Sequence, residues 1–254
     1  FNFYGSLTLD TGDSPVQLVF NTPAFYGLGT DSDTVRIATR DFVWNGIATG
    51  NGTTTPYAGA TPAAVQPGGP GTGTGSLVID ARTVQFGYDA LSQPQRQAEL
   101  ERLALGFGSV KIQATDRVTA NNKAALLVGQ SRDADGTLHG GTLSIVTPLL
   151  TGQAGSAMRY VAGGAIDVSA PAGAAAPDTA AIGELGASLT LQGPSVSLDT
   201  TVALPTGVLR LLADGDISLG EGAQIDLSGR AVQFYDITKY SWGGAATLTS
   251  TNGS

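Results

Sequence analysis

The chain has 254 residues, 41% of them hydrophobic and 13% charged, with 36 glycines. That is about twice the usual glycine share, so the chain is turn-rich, yet its apolar content is enough to line a core and argues against disorder. A net charge of −8 with three lysines (Lys111, Lys123 and Lys239) provides no basic stripe for a phosphate backbone, which makes nucleic acid a poor partner. No apolar run reaches the ~20 residues of a membrane-spanning helix, so membrane insertion is not expected. The lack of cysteine removes disulfides, thiolate metal sites and cysteine catalysis, and fits export as an unfolded chain. The chain opens at Phe1 with neither initiator methionine nor signal peptide, and reads as a single domain, 1–254, cut from something longer.

Along the chain, the opening phrases Leu7-x-Leu9, Val16-x-Leu18 and Val35-x-Ile37 alternate as half-buried strands do. Residues 44–74 are rich in Gly, Thr, Pro and Ala without periodicity, and read as a surface loop. A phrase with apolar residues at its first and third positions then keeps returning: Leu77-Val78-Ile79, Val110-Lys111-Ile112, Leu143-Ser144-Ile145, Ile166-Asp167-Val168, Leu189-Thr190-Leu191 and Leu209-Arg210-Leu211. Its starts lie 33, 33, 23, 23 and 20 residues apart, the mark of a solenoid.

Two of these intervals carry insertions. In 92–106 the period shifts toward 3.6, with Ser92 as N-cap and Leu100, Leu103, Ala104 and Phe107 on one face. This predicts a short amphipathic helix with Glu99 and Arg102 paired on its wet side. Gln130 to Gly136 reads as a polar turn whose Asp133-x-Asp135-Gly136 imitates the opening of a calcium loop but lacks the remaining ligands.

Toward the end the phrase recurs at a finer step. Leu189-x-Leu191, Val196-x-Leu198 and Val202-x-Leu204 form one unit, and Leu209-x-Leu211, Ile217-x-Leu219, Ile225-x-Leu227 and Val232-x-Phe234 follow. Three strands per circuit, separated by Gly- and Asp-marked turns, predict an all-β fold, a parallel β-helix, with like positions stacked into apolar ladders. An antiparallel sandwich is the competing arrangement, since evenly spaced short strands suit both.

Chemistry is sparse. The single histidine, His139, reads as a turn residue beside Gly140-Gly141, and no nucleophile-elbow or phosphate-loop motif occurs. A carbohydrate-active enzyme, a lyase or glycosidase, needs paired carboxylates, for which Asp167, Asp199, Asp216 and Asp226 are the candidates; each reads as a solvated outer-face residue. Tyr235, Tyr240 and Trp242 with Lys239 offer a sugar- or protein-binding patch, although packing onto the outer wall is favoured. No catalytic, cofactor or metal residue is assigned, and no binding residue is fixed.

Several runs carry a resemblance: Gly75 to Arg82, the insert ending Leu103 to Gly108, Gly141 to Gly152, and Ile225 to Gly229 leading to Ser241-Trp242-Gly243-Gly244. Together they resemble filamentous-haemagglutinin-type exoproteins, the large secreted partners of two-partner secretion systems in Gram-negative bacteria. The resemblance covers nearly the whole chain, at a mid-to-late portion of such proteins. It implies a right-handed β-helix, export through an outer-membrane transporter, a secreted or cell-surface location, and attachment to a receptor or glycan on host or neighbouring cells. It carries over no catalytic residue.

Overall fold

A computed structural model of the chain describes residues 1–12, 14–46, 65–87 and 99–254, except the side chain of Phe234. The described residues are nearly all β, arranged in long parallel sheets that the chain visits in turn. One sheet of eight strands stacks, in order, Asn2–Phe3, Ala24–Gly27, Leu100–Leu105, Lys123–Gly129, Ala157–Ala162, Ser188–Gly193, Val208–Ala213 and Ala245–Ser250. The second runs Leu7–Asp10, Thr34–Trp44, Ser76–Phe86, Ser109–Ala120, Thr142–Val146, Ile166–Ser169, Val196–Asp199 and Ile217–Leu219. Its three longest strands bend, with a register irregularity between Ala81 and Thr83, and continue into a third row. That row comprises Gln17–Phe20, the far halves of the long strands, Leu149–Thr151, Thr201–Ala203 and Gln224–Asp226.

Strand pairing within all three rows is parallel, which overturns the sandwich alternative. Antiparallel pairing between strands is confined, among the described residues, to two hairpins: Ser131–Arg132 with Leu138–His139, and Ala231–Phe234 with Ile237–Tyr240.

Register converts the sequence phrase into ladders. Val35, Leu77, Val110, Leu143, Ile166 and Val196 pair in succession, as do Ile37, Ile79, Ile112, Ile145, Val168 and Leu198, and all are buried. The third row aligns Phe42, Val84, Val118, Leu150 and Val202 in the same way. Parallel strands must be connected by crossovers, and repeating the crossover puts each apolar position above its equivalent, so one core runs through the stack. At one end this core is aromatic: Phe25 stacks on Trp44 at 4.1 Å, Trp44 meets Phe86 at 6.4 Å, and Phe86 meets Tyr160 edge-on at 5.7 Å.

Two readings of the repeat need correction. Leu189 and Leu209 pair with each other but belong to the first sheet, while Ile166 pairs with Val196; the interval from Ile166 to Leu189 is therefore a change of face and not a circuit. Val232-x-Phe234 belongs to a protruding hairpin, not to a fourth stacked strand.

The helix expected at 92–106 is also overturned where it is described. Residues 92–98 lie outside the described residues, but Leu100–Leu105 is a strand, paired with Ala24–Gly27 on one side and Lys123–Gly129 on the other. It is buried on both faces, so its apolar residues lose the period of 2 and imitate a helical spacing. Gly106 follows with φ +80°, and a Cβ there would collide with the Gly27 carbonyl, so this turn admits glycine on two grounds.

Of the expected loop 44–74, the described residues after Trp44 carry no strand. Trp44 ends a strand and is fully buried, residues 47–64 lie outside the described residues, and 65–74 is tied to the wall by Gly71 and Gly73 donating to the Gly27 carbonyl at 2.7 and 3.1 Å.

Candidate functional site

Arg102 shows how far tertiary context overrides pattern. It was expected on a wet helix face paired with Glu99; it lies instead in an inward ladder, in register with Leu126, and has no exposed surface. Its Nε donates to the Trp44 carbonyl at 2.6 Å, one terminal nitrogen to Leu100 O at 2.8 Å, and the other to Asn45 O at 2.6 Å. Below it in the same ladder is Tyr160, whose phenol is pushed well above its ordinary range by burial, with Arg102 pulling the other way. Glu99 goes elsewhere, accepting two hydrogen bonds from Arg159 at 2.8 and 2.9 Å. These contacts make Arg102 a structural centre, walled off from solvent.

On the outside, the first sheet carries a groove of about 640 Å³. Its floor is one outward row in strict register: Leu127 opposite Val161, Val161 opposite Gln192, Gln192 opposite Leu212, and Leu212 opposite Thr249. One wall is the hairpin arm from Arg132 to Leu138; Glu101 and Arg159 rise from the sheet, and Asp214 and Thr251 follow the strands. The arm is braced by Arg132 Nε donating to Gly136 O at 3.3 Å and by His139 Nε2 lying 2.8 Å from Asp133 Oδ2. Asp135 accepts from the Thr137 N–H at 3.0 Å, which holds its carboxyl below the usual range. Asp133 and Asp135 thus brace a turn, and no cluster of three metal-ligating side chains occurs among the described residues.

The four carboxylates weighed for catalysis do not line this groove. Asp199 Oδ1 accepts from Gly222 N at 2.7 Å, and Asp216 Oδ1 accepts from Ser254 N at 2.8 Å. Asp167 pairs in register with Ser144 and Ser197 in the second sheet. Asp226 is held well below the usual carboxylate range, first by Arg230, which donates at 2.8 Å, with Ser228 adding its N–H and hydroxyl. Arg230 also donates to the carbonyls of Thr179 at 2.8 Å and Ile182 at 3.2 Å, which pins the 3-10 turn Thr179–Ala181 against the wall. Asp199, Asp216 and Asp226 each use at least one oxygen to fasten a backbone N–H.

The aromatic group differs from the favoured reading of wall packing. The hairpin Ala231–Tyr240 stands away from the stack, with Tyr235 101% exposed at its tip, Tyr240 79% and Trp242 87%. Tyr235 holds a left-handed φ of +52°, which costs a non-glycine residue about 1 kcal/mol. This φ belongs to the two-residue turn Tyr235-Asp236 that closes the hairpin, and it leaves the tyrosine ring open to solvent.

The groove was missed in the sequence because its floor is defined only by register. A signal was nonetheless present: Leu126-Leu127, Tyr160-Val161 and Leu211-Leu212 are apolar doublets at equivalent rungs, and a doublet in a strand must place one side chain outside. No protein-family model, no curated protein and no solved structure matches the chain.

Proposed function

We propose that this chain is a right-handed parallel β-helix serving as a structural and adhesive segment of a large secreted bacterial surface exoprotein of the filamentous-haemagglutinin type, with no catalytic role. The carrying observation is the set of in-register apolar ladders that runs from rung to rung, a regular scaffold from whose wall hairpins project. The exposed hairpin with Tyr235, Tyr240 and Trp242 is the excursion that suits attachment to a host or neighbouring cell. Export through an outer-membrane transporter fits such a scaffold, since each rung emerging from a pore has a completed rung to pair with. The rival reading, a carbohydrate-active enzyme, has less support, because Asp199, Asp216 and Asp226 each commit an oxygen to a backbone N–H and none of the four candidates, Asp167 included, lines the groove.

Attachment of the purified chain to cell surfaces tests the proposal. Saturable binding is expected, with loss in the triple variant Tyr235→Ala, Tyr240→Ala, Trp242→Ala and no change in thermal unfolding. Absence of saturable binding to any cell surface tried sinks the adhesive reading.

A further inference from the structure

The groove on the first sheet is a second surface, separate from the aromatic hairpin, and its chemistry narrows its ligand. It crosses the rungs Lys123–Gly129, Ala157–Ala162, Ser188–Gly193, Val208–Ala213 and Ala245–Ser250, so its long axis follows the stack. Five rungs at the interstrand spacing give a length of about 19 Å.

The cations of the groove are engaged within the protein. Arg159 is held by Glu99, and Arg132 lies 3.8 Å from Glu101 while donating to Gly136 O. With Glu101, Asp135 and Asp214 also present, the groove has no cationic excess for a polyanion. An extended peptide is poorly served too, because the floor is a sheet face whose main-chain groups are already paired, and strand addition needs a free edge. What remains is a floor that runs Leu127, Val161, Gln192, Leu212, Thr249 along the axis, Leu127 mostly covered, so that the aliphatic surface of Val161 and Leu212 is interrupted by the uncharged hydrogen-bonding groups of Gln192 and Thr249. Apolar patches interleaved with neutral donors and acceptors match the ring faces and hydroxyls of a sugar chain.

We propose that this groove binds a neutral, linear oligosaccharide laid along the stack, about four pyranose units long, since one unit advances by about one rung. The inference deepens the adhesive reading, on which it rests for its biological sense, by naming a ligand class and a second point of contact.

The test is calorimetric titration of the full chain with cello-, malto- and chito-oligosaccharides of increasing length, with a heparin fragment as the charged comparison. At least one neutral series is expected to bind, with affinity rising about tenfold from the dimer to the tetramer and levelling beyond it. Leu212→Trp and Gln192→Trp fill the floor and are expected to abolish binding; Gln192→Ala, which fills nothing, is expected to weaken it several-fold, each with unfolding temperature monitored. Trp242→Ala is expected to leave it unchanged. The proposal is overturned if no neutral series binds, if only heparin binds, or if binding survives both tryptophan variants. Cell attachment is scored in parallel: a chain that binds sugar but no cell overturns the adhesive reading alone, and one that attaches to cells yet binds no neutral sugar overturns the groove assignment alone.

Discussion

Arg102 and Trp44, separated by 58 positions in sequence, are joined by a 2.6 Å hydrogen bond from the guanidinium Nε to the tryptophan carbonyl, inside the aromatic end of the core. The same side chain serves the carbonyls of Leu100 and Asn45, so a single cation fastens the strand Leu100–Leu105 to the end of Thr34–Trp44.

Arg102→Ala leaves these carbonyls without that donor and opens a cavity, with an expected loss of about 3 kcal/mol or more. Arg102→Lys is expected to recover less than half, because an ammonium lacks the planar fork that reaches divergent acceptors. Urea unfolding of the two variants checks this; equal stability of Arg102→Ala and the parent contradicts the assignment.

Ladder position decides the cost of a truncation. Leu198 is buried between Val168 and Leu219, and Leu198→Ala is expected to cost about 2–5 kcal/mol. Leu219, in the last rung of the second sheet, is 48% exposed, and Leu219→Ala is expected to cost less than about 1 kcal/mol. Similar costs in denaturant titrations would speak against a graded stack.

The Asp226–Arg230 pair predicts an acid limb. The folded-state pKa of Asp226 is depressed, so its contribution is complete above the unfolded value of about 3.9 and is lost as pH falls from there through the folded value. Thermal unfolding followed from neutral pH to pH 2 is expected to show a shallower decline in Arg230→Ala than in the parent.

Tyr160 predicts the opposite limb. Its folded pKa is raised by burial, so below the unfolded value of about 10 it adds no pH dependence, and above it the unfolded chain ionises while the folded one resists, lowering stability. Tyr160→Phe is expected to retain more stability at pH 11 than the parent, measured by chemical unfolding at each pH.

At the hairpin tip, Tyr235→Gly removes a left-handed side chain and is expected to raise stability by up to about 1 kcal/mol while weakening cell attachment. A gain in stability with attachment untouched would detach Tyr235 from function.

How much was legible in the sequence follows from what kind of information each feature needs. The strands of the second sheet are readable because Val110-Lys111-Ile112, Leu143-Ser144-Ile145 and Ile166-Asp167-Val168 each flank a polar residue with two apolar ones, the pattern of a strand with one buried face, even though the intervals between them differ. Their parallel stacking followed from repetition itself. The strand Leu100–Leu105 was misread because burial on both faces erases the alternation, and the span of the repeat was misjudged at Ile166 because equal phrases on two faces look alike in one dimension.

Composition and period along the chain define a turn-rich, all-β molecule of repeating strands with an apolar interior, since period and turn residues are properties of neighbours in sequence. That Arg102 is core, that Glu99 belongs to Arg159, that the aromatic hairpin stands clear of the wall, and that Leu127, Val161, Gln192, Leu212 and Thr249 share one row emerges from the assembled fold. The physical reason is register: which residues become neighbours across strands depends on where each crossover returns, and that is set by packing of the whole stack rather than by any stretch of it.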